Sequence, residues 1–264
     1  MKLIKNLAIF FLPLVFVSCM DTREELEIKK DGSGTLVMRT DLSKMLQMMK
    51  GFASADDLQK QGIDKPFDTT MLMKDYVDTA KSVPADKKAL LRDGKVHLVM
   101  NVNEGMGKFD MQFPFKSADQ LQELYASLNS ATGLKNMFEG MGKGRQLPMG
   151  GGSDSSAGGE GNDKGMPQIA SVYDIVVKDG LYSRKVNKER YEAFRQAMKL
   201  EELKQMSSMM GQMNYTLSVK LSRAIKKVSN SKAVLSEDKK TVTISTDLME
   251  TFEHPELLAL EVEY

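Results

Sequence analysis

Tryptophan is absent from this chain, histidine occurs twice and cysteine once, at Cys19. A single cysteine forms no internal disulfide, so the packing of apolar side chains has to hold the fold. His97 and His254 with one cysteine are too few for a zinc or iron centre built from His and Cys clusters. A charge excess is also missing, since 37 lysines and arginines face 36 acids. A near-neutral chain argues against nucleic acid as a partner and against a polybasic membrane patch. No apolar run reaches the ~20 residues that a membrane-spanning helix needs, either at the C-terminus or in Leu7–Val17, which also contains Pro13.

What the chain does have is an ordered start. Lys2 and Lys5 precede Leu7–Val17, and Ser18 and Cys19 follow it. Positive, apolar and small residues in that order make a secretory signal, residues 1–18. The one cysteine stands where cleavage would fall. Phe16-Val17-Ser18-Cys19 resembles the lipobox of bacterial lipoproteins, with Phe16 at the position usually held by leucine. The resemblance implies that Cys19 receives a diacylglycerol thioether, becomes the new N-terminus and is N-acylated, for example with palmitate. The chain is then expected in the cell envelope, anchored to a bacterial membrane, with the outer membrane as the working expectation. Each buried methylene adds about 0.8 kcal/mol, so several acyl chains hold stably. Residues 20–23 alone separate this anchor from the first strand and reach at most ~17 Å, which predicts a folded body close to the bilayer.

Alternation and turn chemistry predict an α+β fold of antiparallel hairpins packed with amphipathic helices. Glu24–Lys30 and Thr35–Thr40 flank Asp31-Gly32-Ser33-Gly34, a hairpin pattern. Asp41 or Ser43 caps a helix with Leu42, Met45, Leu46 and Met49 on one side. A short helix is expected near Ala55–Gln61, an amphipathic one over Thr69–Lys81 and another over Asp86–Arg92. Lys95–Val102 and Phe109–Phe115 alternate around Glu104-Gly105-Met106-Gly107, and Ser117 caps a helix to about Ser130. Ala170–Lys178 and Leu181–Val186 flank Asp179-Gly180, and Asn187 caps a helix from Lys188 to about Met210. Asn214–Leu221, Lys232–Leu235, Thr241–Ser245 and Leu257–Tyr264 complete the strands, with a helical turn at Asp247–Phe252.

Between these blocks, Gly140–Pro167 holds half of the 20 glycines and almost nothing apolar, and it reads as a flexible linker. It divides the chain into a unit at 19–139 and another at 168–264. These are either two domains or one domain interrupted by a loop. The two units look alike, each with strand, DG turn, strand, Asp or Asn cap and helix. Duplicated halves are one reading, and the frequency of hairpin-then-helix units is the other.

Motifs that carry chemistry do not complete themselves. Glu104-Gly105-Met106-Gly107-Lys108 recurs as Glu139-Gly140-Met141-Gly142-Lys143, but neither has the earlier glycine and the following Ser or Thr of a phosphate loop. Gly32-Ser33-Gly34 is no nucleophile elbow, and Ser229 with Lys232 lacks the partner motifs of a Ser-x-x-Lys enzyme. No D-x-D-x-D-G calcium loop occurs. The sequence therefore assigns no catalytic residue, no metal ligand and no cofactor. Methionine, at 21 residues, is the compositional oddity. Met206, Met209, Met210 and Met213 share one helical face, and Met45, Met48 and Met49 repeat part of that spacing. They read as core stripes, as an adaptable surface for an acyl chain or partner helix, or as thioether ligands for Cu(I).

The hairpin Glu27–Met38, together with Tyr215-Thr216-Leu217-Ser218-Val219-Lys220-Leu221, Val228-Ser229-Asn230 and Thr241-Val242-Thr243-Ile244, is similar to LppM-type bacterial lipoproteins. The chain departs from them in lacking late-strand tryptophan and a C-terminal membrane helix. The resemblance implies an α+β domain whose strand–helix packing forms a lipid-accommodating groove. The leading expectation is a membrane-anchored, non-enzymatic binding module for a lipid, another apolar ligand or an envelope protein. An envelope hydrolase using carboxylates and a structural component of an envelope complex are the alternatives.

Overall fold

The computed structural model describes residues 20–52, 65–79, 84–129, 169–198, 200, 204 and 211–264. Among them are twelve strands in two sheets and six helices, the α+β class that the alternation predicts. The strands are β1 (Met20–Ile28), β2 (Gly34–Asp41), β3 (Phe67–Leu72), β4 (Lys95–Asn101), β5 (Met106–Phe115), β6 (Tyr173–Lys178), β7 (Leu181–Val186), β8 (Met213–Lys220), β9 (Lys227–Val228), β10 (Val234–Leu235), β11 (Thr241–Asp247) and β12 (Leu260–Glu263). The helices are α1 (Ser43–Phe52), α2 (Met73–Val77), α3 (Ala85–Leu91), α4 (Asp119–Asn129), α5 (Lys188–Ala197) and α6 (Leu248–Glu253).

The larger sheet runs β10-β11-β8-β1-β2-β5-β4-β3, and the smaller β6-β7-β12-β9. All pairs are antiparallel except β1 with β8, which run parallel from Met20↔Met213 to Glu27↔Lys220. Strands from both sides of the glycine-rich segment thus share one sheet. The two hairpin–helix units land differently: β1–β2–α1 at the centre of the large sheet, β6–β7–α5 on the small one. Asn187 Oδ1 accepts from the Arg190 amide at 3.0 Å, the cap the sequence predicts, and Asp41 Oδ1 accepts from the Ser43 amide at 2.8 Å just before α1.

Period-2 alternation gives the large sheet a dry face and a wet one. Leu26, Leu36, Phe113, Val96, Leu217 and Ile244 are buried on the first, beneath Leu121, Leu124 and Leu128 of α4 and Tyr182 and Val262 of the small sheet. Each such side chain contributes roughly 1.5–3 kcal/mol on burial. The other face is polar, with cross-strand pairs such as Thr216–Ser245 at 3.1 Å, Arg39–Glu25 at 2.5 Å and Lys220–Glu27 at 2.9 Å.

The helix expected over Thr69–Lys81 is not what forms. Residues 67–72 are the edge strand β3, paired with β4 through Thr69↔Leu98 and Thr70↔His97, and α2 occupies only Met73–Val77. An edge strand with mostly exposed side chains shows no alternation in the sequence. Met73 and Val77, at i and i+4, are both buried in this short helix. Two strand starts also shift. Residues 169–172 and 255–258 form 3₁₀ turns, and their strands begin at Tyr173 and Leu260. The expected short helix at 55–61 and the linker at 140–167 lie outside the described residues.

Candidate functional site

Two polar places stand out, one sealed and one open. In the sealed one, β1 points Glu24 inward on the same side as Leu26 and Ile28, and Glu24 has no exposed surface. Arg184 of β7, equally buried, reaches it from the small sheet. Its Nη1 donates to Glu24 Oε1 at 2.5 Å and its Nη2 to Oε2 at 3.2 Å. The hydroxyl of Tyr125 in α4 donates to Oε1 and that of Tyr215 in β8 to Oε2. Arg184 also stacks its guanidinium 4.0 Å from the centre of the Tyr173 ring, whose hydroxyl donates to the Pro255 carbonyl at 2.7 Å.

The electrostatics follow from burial. Burial lifts the Tyr125 and Tyr215 phenols well above the usual range, and the adjacent Glu24 carboxylate adds to both shifts. Burial, helped by the Glu24 carboxylate, outweighs Arg184 in pushing the Tyr182 phenol up to about 12, and it raises Tyr173 as well. For Arg184 burial opposes the charge, but the Glu24 carboxylate and the surrounding phenols outweigh it and hold the guanidinium firmly protonated. Four donors saturate the Glu24 carboxylate, so this cluster is a cross-link between the sheets. With no exposed surface, it has no route to a substrate proton. Perturbed tyrosines here report packing.

The open place lies on the wet face of the large sheet, where β1 begins. It is a shallow cleft of about 440 Å³ lined by Asp21, Arg23, Asn214, Lys232, Asp247 and Glu250, among other polar residues. Its acids are engaged: Asp21 with Arg23 at 3.1 Å, Asp247 capping the Met249 and Glu250 amides, and Glu250 facing Lys232 at 3.9 Å. A second concavity, lined by Ser229–Lys232, Glu256, Leu257 and Ala259, mixes polar and apolar surface. Ser229 Oγ accepts from the Glu261 amide at 2.8 Å, which commits that hydroxyl to a strand end. Neither concavity is the apolar groove that the family resemblance implies.

The residues singled out from the sequence are scattered. Cys19 lies outside the described residues, one position before β1, and so do Met206, Met209 and Met210. Met213 does not continue a helical stripe. Gly211 adopts φ +79, a left-handed turn that a helix does not contain, and Met213 opens β8 with its side chain buried in the core. Met45 and Met48 sit half-buried on α1, and Met49 lies on α1 with its side chain outside the described part. The first Gly-Met-Gly-Lys copy is a hairpin turn. Gly105 has φ +64, and the Gly107 carbonyl accepts from the Leu42 amide at 2.7 Å. The second copy lies outside the described residues. His97 is partly exposed, with Nε2 2.7 Å from Asp68 Oδ1, and His254 sits 3.1 Å from Glu256. Sequence reasoning missed the Glu24–Arg184 pair. Its one signal is a carboxylate in phase with the apolar side of an alternating strand.

No family model matches this chain, and no curated protein matches it. Among solved structures, the NMR structure of the folded domain of LppM from Mycobacterium tuberculosis is similar. The match has 9% sequence identity and a TM-score of 0.36, and covers 94% of this chain and 91% of that one. At that score the likeness carries no argument about what this chain binds or does.

Proposed function

We propose that this chain is an envelope lipoprotein, anchored through acylated Cys19, whose folded body acts as a non-enzymatic binding module at the bilayer surface. The observation that carries this reading is the start of β1. Met20 already pairs with Met213, and Asp21 pairs with both Asn214 and Asp41. The body therefore begins one residue after the signal's cysteine and has no stalk. A lipid at Cys19 brings that end of the sheet to the membrane, in this proposal the outer membrane. The most perturbed ionisable groups are consumed in the sheet cross-link, which favours binding over carboxylate catalysis. Lipid, another apolar ligand or a partner envelope protein would meet the half-buried Met45 and Met48 of α1, with Met49, Met206, Met209 and Met210 as further candidates.

Cys19→Ala with membrane fractionation and detergent partitioning tests the anchor. The wild-type chain is expected in the membrane and detergent fractions, with the variant no longer acylated and lost from the detergent phase. A wild-type protein that is water-soluble with an unmodified thiol overturns the reading.

A further inference from the structure

Among the described residues the two sheets end in four outer strands, β10 and β3 on the large sheet and β6 and β9 on the small one. An outer strand offers main-chain N–H and C=O groups to any strand that arrives, and folded proteins blunt such edges. Three of the four are blunted. β10 and β9 are each two residues long, and on β6 the Ile175 amide donates to Gln122 Oε1 of α4 at 2.7 Å. β3 is the exception. It is six residues long, pairs in unbroken register with β4 from Phe67↔Met100 to Leu72↔Lys95, and contains no proline, no lysine and no bulge. Its one charge, Asp68, is met by His97 Nε2 at 2.7 Å.

The direction of its main-chain groups follows from one bond. The Met73 amide donates to the Gly94 carbonyl at 2.9 Å, and these two residues continue the β3–β4 register. Along an antiparallel ladder, residues that bond a given neighbour alternate with residues whose N–H and C=O point the other way. Phe67, Thr69 and Met71 therefore face β4, whereas Asp68, Thr70 and Leu72 aim their main-chain groups away from the sheet. All three are exposed, and Leu72 presents an apolar side chain at 45% exposure.

This outward set is symmetric about Thr70. A second β3, antiparallel and centred there, sets Thr70 against its own copy and Asp68 against Leu72 of the second copy, twice over through the two-fold axis. Each outward N–H then meets an outward C=O, no like charges face each other, and Leu72 is covered. Because that axis is perpendicular to the sheet, the two dry faces stay on one side, and Thr69 neighbours Met71 of the second copy.

We infer that β3 is an interface between two copies of this chain, which join their large sheets by antiparallel pairing centred on Thr70. The interface needs no lipid and stands apart from the anchored reading.

Native mass spectrometry of the full chain released from detergent, over a concentration series, tests it. The wild type is expected to form a dimer. Thr70→Pro removes the donor at the centre of the pairing and breaks no bond to β4, since proline is tolerated where an edge N–H faces outward. With an unchanged circular dichroism spectrum, it is expected to weaken the dimer about tenfold. Leu72→Asp sets a carboxylate against Asp68 of the second copy and is expected to weaken the dimer as well, whereas Leu72→Lys, facing that same Asp68, is expected to preserve it. A wild type that stays monomeric throughout the series overturns the inference, and so does a dimer that neither Thr70→Pro nor Leu72→Asp weakens. Equal weakening by Leu72→Asp and Leu72→Lys overturns it too, because that is the mark of a general apolar contact without the Asp68–Leu72 register.

Discussion

Glu24 and Arg184 lie far apart in the chain, yet each is the other's counter-charge in a site from which water is excluded. A buried pair of this kind adds little over a well-packed apolar pair, but removing one partner strands the other. Arg184→Met is therefore expected to cost about 3–5 kcal/mol in urea unfolding, and Glu24→Leu/Arg184→Met less than Glu24→Leu alone, with the Tyr125 and Tyr215 hydroxyls left without an acceptor accounting for what remains. The tyrosines around them give a pH signature. Tyr125, Tyr173, Tyr182 and Tyr215 are all raised by burial, so the folded state keeps protons that the unfolded state releases near pH 10. Stability is accordingly full below the unfolded tyrosine range and falls as pH climbs above it, by up to about 1.4 kcal/mol per pH unit for each buried phenol. Urea midpoints measured from neutral pH to above pH 11 check this, and a flat profile would contradict it. Glu24 was legible as an inward acid on an alternating strand. Its partners were not, because ion pairing across such a separation leaves no periodicity.

At the scale of elements, local pattern and sheet edge compete. The hairpins β1–β2, β4–β5 and β6–β7 follow their turn signals because each contains its own alternation and its own turn. The strand β3 does not, since its conformation comes from the unpaired backbone groups that β4 offers. Tight packing between neighbours matters as much as pairing. A Cβ added to Gly34 would stand 1.9 Å from the Glu27 carbonyl oxygen and 2.4 Å from the Phe115 ring. Gly34→Ala is expected to destabilise by about 1–3 kcal/mol, as overpacking does, because the obstructing atom is backbone of the partner strand. A thermal midpoint equal to that of the wild type would show that the hairpin yields without strain.

For the whole molecule, composition determined the limits and the pattern determined the class. One cysteine and two histidines removed disulfides and His/Cys metal centres, and alternation with capped helices determined antiparallel hairpins with helices on them, because those signals act between residues close in sequence. The parallel pairing of β1 with β8, the burial of Met213 in a strand, the cross-link through Arg184 and the cleft between Arg23, Lys232 and Glu250 were decided only by tertiary structure. Each joins segments separated by more than a hundred residues or placed side by side by the sheet order. Such contacts form when burying a shared apolar face outweighs the entropy of closing a long loop, and no local stretch of sequence encodes that balance.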